Sequence, residues 1–461
     1  MASKPLNRIV SLDILRGIAI LTMVLSGVLP RRILPTWMYH AQVPPPDHVF
    51  IPTLPGITWV DLVFPFFLFC MGAAFPLALR PRLEKGDTVW LIARRIVIRG
   101  FTLGVFAIWL QHLRPHHIQN PPAAWTWLLA ISGLLVLFLV YSRYPPPLLR
   151  KHEKWIRAGG WLMLATWIPL YGLISGEGFS LNRSDIILLV LTNMAIFAAL
   201  IWLATRDRPL WRLGILGLYL ALRLAHDQHA GFQAFWSYSP LPWFFRWDFL
   251  KYLFIVLPGT FIGEALLTHS QETRVRHPGA IPLTVLALLI MVTSLLGYQA
   301  RWTGTTTLIL IGLTLISLVM ACRNEDPLIR KLLNWGAYWV ILGAVLEPFE
   351  GGIKKDPSTL SYYFLTTGIA TYLITALECW RGRVGMGWFG RLLADNGRNP
   401  MLAYVGMANL IWPIMALTGL ERLLAGLNAQ PIPGLMIALA KTLILAILVQ
   451  WVTRRGWLWK T

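Results

Sequence analysis

Charge is what this chain has least of. Of its 461 residues only 13% are Asp, Glu, Lys or Arg, while 56% are hydrophobic. A soluble globular domain carries about a quarter charged residues, so a soluble fold is excluded. Mean hydropathy is +0.58. Cysteine is scarce as well: Cys70, Cys322 and Cys379 fall in or beside apolar runs. They have neither metal-ligand spacing nor the pattern of a disulfide framework, so packing is their expected use and no metal is expected. No internal repeat is evident, which weakens any reading that needs inverted halves. The short glycine stretches, Gly351-Gly352 and Gly397, match no phosphate-binding loop. No loop is long enough for a separate soluble domain, so residues 1–461 read as one transmembrane domain.

What the chain does have is a succession of apolar runs near the roughly 20 residues needed to cross about 30 Å of hydrocarbon. The candidates are 9–29, 57–79, 96–112, 123–142, 159–175, 185–205, 209–224, 248–267, 278–298, 303–322, 332–349, 359–379, 399–418 and 433–453. Several are short or interrupted, so about 11–14 spans are expected in an all-α, polytopic helical bundle. The opening segment carries Asp13 and Arg16 and lacks a small-residue cleavage site, so it reads as a retained first span.

The net charge of +20 sits in alternate short loops, notably Arg80–Arg95, Arg143–Arg157, Arg206–Arg212, Thr268–His277, Arg323–Lys331 and Arg381–Arg398. That alternation is the positive-inside pattern; it builds no continuous basic face for nucleic acid. The lipid bilayer is the expected partner, with both termini cytoplasmic. Arg31 and Arg32 run against the rule but are outnumbered. Trp, at 23 residues, is frequent near span ends, as an interfacial aromatic belt requires.

Polar residues at the mouths of spans carry the functional signal. The loop before the second span holds His40, Asp47 and His48, stiffened by Pro44-Pro45-Pro46 and Pro52, and leads into a helix whose first turn contains Asp61. Histidine titrates near neutral pH and can act as a general base or accept an acyl group, with Asp47 or Asp61 holding its tautomer. The bland alternative is a pair of solvated loop histidines. Asp13 and Arg16, three apart, share one helical face; they form either a structural ion pair or one wall of a cytoplasmic cavity. His116-His117 is an accessory pair too poor in neighbouring acids to suggest metal. Asp248 and Lys251 lie one turn apart and can neutralise each other. Glu264, Glu347 and Glu378 lie within spans, where acids serve as proton relays or as ion-paired structural groups.

Four stretches carry a family resemblance: SLDILRGIAILTMV; His40-Ala41 followed by GITWVDLVFPFFLFCMG; Ser358-Thr359-Leu360-Ser361-Tyr362; and Gly397-Arg398-Asn399-Pro400-Met401-Leu402-Ala403-Tyr404. In this order they resemble the heparan-α-glucosaminide N-acetyltransferase family of polytopic membrane acyltransferases, including its bacterial homologues. The Trp-x-Asp-Leu-Val-Phe-Pro block is fairly specific, whereas Asp-x-x-Arg-Gly recurs in several membrane acyltransferase groups.

The resemblance implies transfer of an acetyl group from cytoplasmic acetyl-CoA to an amino sugar or envelope glycan across the bacterial inner membrane. It implies His40 as base or acetyl acceptor, with Asp61 and Asn399 lining the same cavity and Asn399 donating to the developing oxyanion. Arg94 and Arg95, with Arg16 and Asp13, are assigned to the CoA side on charge and sidedness. It is compatible with a homodimer. An insertion, QVPPPDHVFIPTLP, separates His40 from the second-helix motif, so His48 stays open as a rival. Ser26 and Met407 stand where family members carry Asn and His. The competing class is a secondary transporter or flippase, with Glu264, Glu347 and Glu378 as its relay.

Overall fold

In a bilayer every backbone polar group must be satisfied within the chain, which leaves helices as the natural form for these apolar runs. The computed structural model describes residues 8–176, 178–226, 229–269, 279–380 and 387–459, and among these no strand forms. The first helices are α1 (Val10–Val28), α2 (Trp59–Glu84), α3 (Val89–His112), α4 (Pro115–Ile118) and α5 (Ala124–Tyr141). There follow α6 (Pro147–Lys151), α7 (Glu153–Ser175), α8 (Ile186–Thr205), α9 (Pro209–His226) and α10 (Ala230–Trp236). Next come α11 (Leu253–His269), α12 (Ala280–Gln299), α13 (Thr303–Arg323), α14 (Pro327–Leu346) and α15 (Leu360–Trp380). The series closes with α16 (Trp388–Arg398), α17 (Pro400–Gly406), α18 (Trp412–Leu417), α19 (Leu420–Asn428) and α20 (Pro431–Arg454).

Among the described residues, twelve helical segments are long and apolar enough to cross a membrane. The protein is therefore a multi-pass, all-α membrane bundle, and twelve falls inside the expected range. The expected spans 96–112 and 209–224 form as α3 and α9 but are not among the twelve, because Arg94, Arg95 and Arg99 charge the first and Arg212 and Arg223 the second. The basic loops Thr268–His277 and Arg381–Arg398 lie partly outside the described residues.

Burial separates the centre from the rim. The windows of α15, α11, α8 and α2 are mostly buried, whereas α7 and α13 turn most of theirs outward. Exposed side chains such as Leu173, Leu308 and Ile432 then face lipid, where they cost nothing. At the centre, close backbone approach replaces bulk. A Cβ at Gly72 of α2 would run into the Val256 carbonyl of α11, and one at Gly263 into the Ala73 carbonyl. This is the small-residue packing that membrane helices use in place of a hydrophobic drive. The same logic explains Gly17 in the Asp-x-x-Arg-Gly stretch, whose Cβ would strike the Leu393 carbonyl of α16.

Candidate active site

Asp61 is the anchor. As the third residue of α2 it reaches back so that Oδ2 accepts the backbone N–H of Thr58 at 3.0 Å, half of a capping box. The same oxygen accepts the N–H of Ala41 at 3.1 Å, while Thr58 Oγ1 donates to the Tyr39 carbonyl at 2.6 Å. The loop 39–41 is thus tied to the helix start. Oδ1 is left for His40, whose Nδ1 lies 2.7 Å away. A carboxylate can only accept, so Nδ1 carries the proton and Nε2 presents its lone pair. Nε2 makes no hydrogen bond among the described residues. The His40 side chain is 40% exposed and that of Asp61 2%, which makes a buried orienting acid behind an accessible imidazole.

The Trp-x-Asp-Leu-Val-Phe-Pro block acquires a mechanical reason here. Pro65 has no N–H to give the Asp61 carbonyl four residues earlier. The hydroxyl of Tyr362, from α15, supplies the missing donor at 2.7 Å. Two stretches some 300 residues apart in the sequence therefore complete one helix turn beneath His40.

The third component is Lys355, which sequence reasoning missed. Its Nζ lies 3.1 Å from His40 Nδ1 and 3.9 Å from Asp61 Oδ1. With Nδ1 protonated, the ammonium acts as a countercharge to Asp61. Its side chain is 28% exposed; burial pushes its pKa below the ordinary lysine value, while Asp61 and Asp356 pull the other way. A signal existed: Lys354-Lys355 are basic residues on the face that the loop pattern otherwise leaves poor in charge, just before the Ser-Thr-Leu-Ser-Tyr stretch.

The Lys355 loop is held from both sides. Glu350 accepts the N–H groups of Leu360 and Ser361, each at 2.7 Å, capping α15. Glu347 accepts from Arg301 at 3.1 Å and from the N–H of Ile353 at 3.3 Å. Gln42 clamps the backbone of Asp356, accepting its N–H at 2.8 Å and donating to its carbonyl. Glu347 and Glu350, which bracket Pro348, are loop clamps.

On the opposite side of the bundle a cavity of about 450 Å³ is walled by α1, α2, α3, α8, the end of α16, α17 and the segment after α20, in the usual range for ligand sites. It carries five arginines, Arg16, Arg82, Arg95, Arg99 and Arg398, over an otherwise mainly apolar wall that includes Phe67, Met71 and Phe75. The arginines lie in two tiers. Arg16 bonds the Cys70 and Gly397 carbonyls, each at 3.3 Å. Arg82 sits twelve residues farther along α2, about 18 Å at 1.5 Å per residue. Phe67, the deepest α2 residue of the wall, is six residues or about 9 Å from Asp61. The cavity and His40 therefore approach one another along a single helix from opposite faces.

Several expected site residues lie elsewhere. His48 is not beside Asp61: its Nε2 accepts the Arg32 N–H at 3.0 Å and its ring packs edge-on to Tyr39, so it shapes the loop. Asp47 is exposed and not in the dyad. Asn399 makes no hydrogen bond to His40 or Asp61 among the described residues; its amide is engaged by the segment after α20. Nδ2 donates to the Trp457 carbonyl at 2.9 Å and Oδ1 accepts the Trp459 N–H at 3.1 Å.

On the basic side, Arg95 lines the cavity and is paired with Asp87, but Arg94 is exposed and outside the lining. Arg16 lines the cavity, whereas Asp13 is its buried counter-ion at 3.6 Å, shared with Arg8. His116 and His117 are exposed, His116 packing against Trp127. Lys251 pairs with Asp248 at 2.9 Å. Glu264 is held by Arg212 and Trp202, each at 2.8 Å, and Glu378 accepts from Ser11. No group of three or more potential metal ligands forms among the described residues.

Compared with known proteins, residues 8–266 match the model of a family described as a domain of unknown function (DUF5009). No curated protein matches the chain. The matched region contains the His40 loop, the whole of α1–α3 and the α8 wall of the cavity.

Proposed function

The chain belongs to the DUF5009 family, whose description names no chemistry, and from the geometry of its site we propose that it is a transmembrane acetyltransferase. It takes an acetyl group from acetyl-CoA on the cytoplasmic, basic face and passes it to an amino sugar or envelope glycan on the other. The membrane in this reading is the bacterial inner membrane. The observation that carries the proposal is the alignment, along α2, of an arginine-lined cavity with an Asp61–His40 dyad whose Nε2 is unpartnered.

The residues fit the donor's chemistry. Arg82, Arg95 and Arg99 offer guanidinium forks to phosphates at the mouth, and the apolar wall from Leu79 to Phe67 suits an uncharged arm. Asp61 keeps His40 in the Nδ1–H tautomer and balances the imidazolium that forms when Nε2 takes a proton. His40 either removes the proton of the acceptor amine or hydroxyl as it closes on the thioester carbonyl, or first accepts the acetyl group on Nε2. In the direct route Nε2 then returns the proton to the departing thiolate sulfur; in the two-step route attack of Nε2 breaks the thioester C–S bond and releases CoA thiolate, and the acceptor then breaks the N–acetyl bond, its proton passing to the freed Nε2. The transporter reading draws no comparable support, since Glu264, Glu347 and Glu378 are each held by separate partners.

The test is acetyl-CoA turnover in proteoliposomes with a panel of amino sugars, for the wild type, His40→Ala and His48→Ala. Turnover lost in His40→Ala and kept in His48→Ala is expected. Failure of the wild type to bind or turn over acetyl-CoA with any acceptor would overturn the reading.

A further inference from the structure

Lys441 is a cation inside a membrane span. It lies ten residues into α20 from Pro431, about 15 Å along the helix at 1.5 Å per residue. The residue is 8% exposed, and a charge at that depth is costly enough to be a functional candidate. Its ammonium makes no hydrogen bond or ion pair among the described residues and retains accessible surface. Lys441 lines an open cleft of about 410 Å³ on the His40 face, between the end of α1, α19 and the first half of α20. Arg31, Trp412, Glu421 and Asn428 line it too. Glu421 is the acid among these lining residues. It acts on Lys441 through charge, but it is exposed and forms no ion pair with it.

The cleft is tied to the His40 loop. The Tyr39 hydroxyl donates to the Pro30 carbonyl at 2.5 Å, and the Arg32 N–H goes to His48 Nε2 at 3.0 Å. Leu29, Leu34, Met38 and Tyr39 join Ala438 of α20 in one apolar cluster. The turn so held carries Arg31 and Arg32, cations on a face that the loop pattern leaves poor in positive charge. The surroundings suit a lipid. α19 exposes Leu420, Leu423 and Leu427, and the start of α20 exposes Ile432 and Met436. An amphipathic helix of this kind lies in the interfacial plane with its apolar face toward the acyl chains. A lysine deeper in the span extends toward that interface, where headgroup phosphates lie. We infer that the cleft binds the phosphate of an anionic lipid in the leaflet on the His40 face, with Lys441 and Arg31 on its oxygens and Asn428 as a neutral donor. The inference goes beyond the acyl-CoA reading: it concerns a different cavity and requires no acetyl donor.

The experiment titrates the full-length protein in detergent with phosphatidylglycerol or phosphatidylcholine, with inorganic phosphate as competitor. Bound lipid is read by native mass spectrometry, and the thermal midpoint of every variant is recorded. The wild type should retain phosphatidylglycerol in preference to phosphatidylcholine, and inorganic phosphate at equal concentration should not displace it. Lys441→Met keeps an unbranched chain and removes the charge. It should weaken phosphatidylglycerol binding roughly tenfold, the scale of a lost hydrogen bond to a charged group, with the thermal midpoint kept or raised. Arg31→Ala should weaken it about two- to fivefold, as for an exposed charge. Glu421→Gln should tighten it by a similar factor, whereas a purely structural Lys441–Glu421 pair would instead lower the midpoint. Arg422→Ala, exposed on α19 and outside the cleft lining, should change nothing. A wild type without preference for phosphatidylglycerol, or wild-type affinity in Lys441→Met, overturns the inference. Displacement by inorganic phosphate overturns the lipid as the source of the phosphate. Should Lys441→Met fail to fold, unchanged affinity in both Arg31→Ala and Glu421→Gln overturns the site. No reading involves acetyl-CoA, so failure here leaves the acetyltransferase proposal standing, and the reverse.

Discussion

The two ends of α2 are built on opposite principles. At the His40 end most polar atoms are spoken for: both oxygens of Asp61, the Asp61 carbonyl, the Gln42 amide and the Glu350 carboxylate have partners, and Glu347 has one oxygen bonded and Oε2 buried without a bond. The accessible group left without a partner among the described residues is His40 Nε2. At the other end the cavity is crowded with donors and short of acceptors. Arg82 and Arg99 have no ion-pair partner among the described residues. A site that must orient a reacting group is made rigid from within; a site that must hold a polyanion leaves its donors for the ligand to complete. Under the proposed function, chemistry falls to the first end and binding to the second.

The largest effect that would sharpen this division is at His40. His40→Ala should lower acetyl transfer by on the order of 10²- to 10⁴-fold, the usual worth of a positioned acid–base group. CoA affinity should be unchanged in a binding titration. A parallel loss of CoA binding would break the division by making the two ends one site.

Asp61→Asn comes next. An amide can present its NH2 to His40 and select the wrong tautomer, so turnover should fall by about 10²-fold or more. The thermal midpoint should also drop, because Asn is a poorer acceptor for the Ala41 and Thr58 N–H groups. Tyr362→Phe, which uncovers the Asp61 carbonyl, should cost about 1 kcal/mol in denaturant unfolding and leave CoA binding intact.

At the binding end effects should be smaller and screened by salt. Arg82→Ala and Arg99→Ala should each weaken CoA about two- to fivefold, in line with charge pairs near solvent. Their combination should flatten the dependence of affinity on ionic strength. Isothermal titration at two salt concentrations checks this.

The smallest effect concerns Lys355. Its pKa is lowered by burial, so the unfolded chain binds a proton more tightly than the folded one. The stabilisation is fully present above about pH 10.5, the unfolded lysine value, and is lost as pH falls through the depressed folded value. The difference in thermal midpoint between wild type and Lys355→Met should therefore shift in favour of the wild type as pH rises through that window.

Much of this was legible in the residues, and unevenly. The helical class follows from apolar runs of membrane-spanning length. Asp61 could be read as His40's orienting acid because it stands in the first turn of the next helix. Lys355 escaped because nothing local marks it: it is a loop lysine until Gln42 grips the neighbouring Asp356 backbone. Asn399 shows the converse. Its motif context suggested chemistry, but the hydrogen bonds that occupy it come from a segment some 58–60 residues later. His48 and His40 look alike in sequence, and only the capping geometry of Asp61 chooses between them.

By itself the sequence determined a multi-span helical membrane protein with its basic loops on one face, because hydrocarbon admits long apolar helices and rejects charge whatever the neighbours are. Tertiary structure alone decided which polar residues meet. A hydrogen bond is a matter of a few tenths of an ångström and a direction, and helices of similar hydropathy can be arranged in many orders. It is the packing of α2 against α11 and α15 that brings Tyr362 and Lys355 to Asp61, and the return of the Trp459 segment that closes the cavity wall.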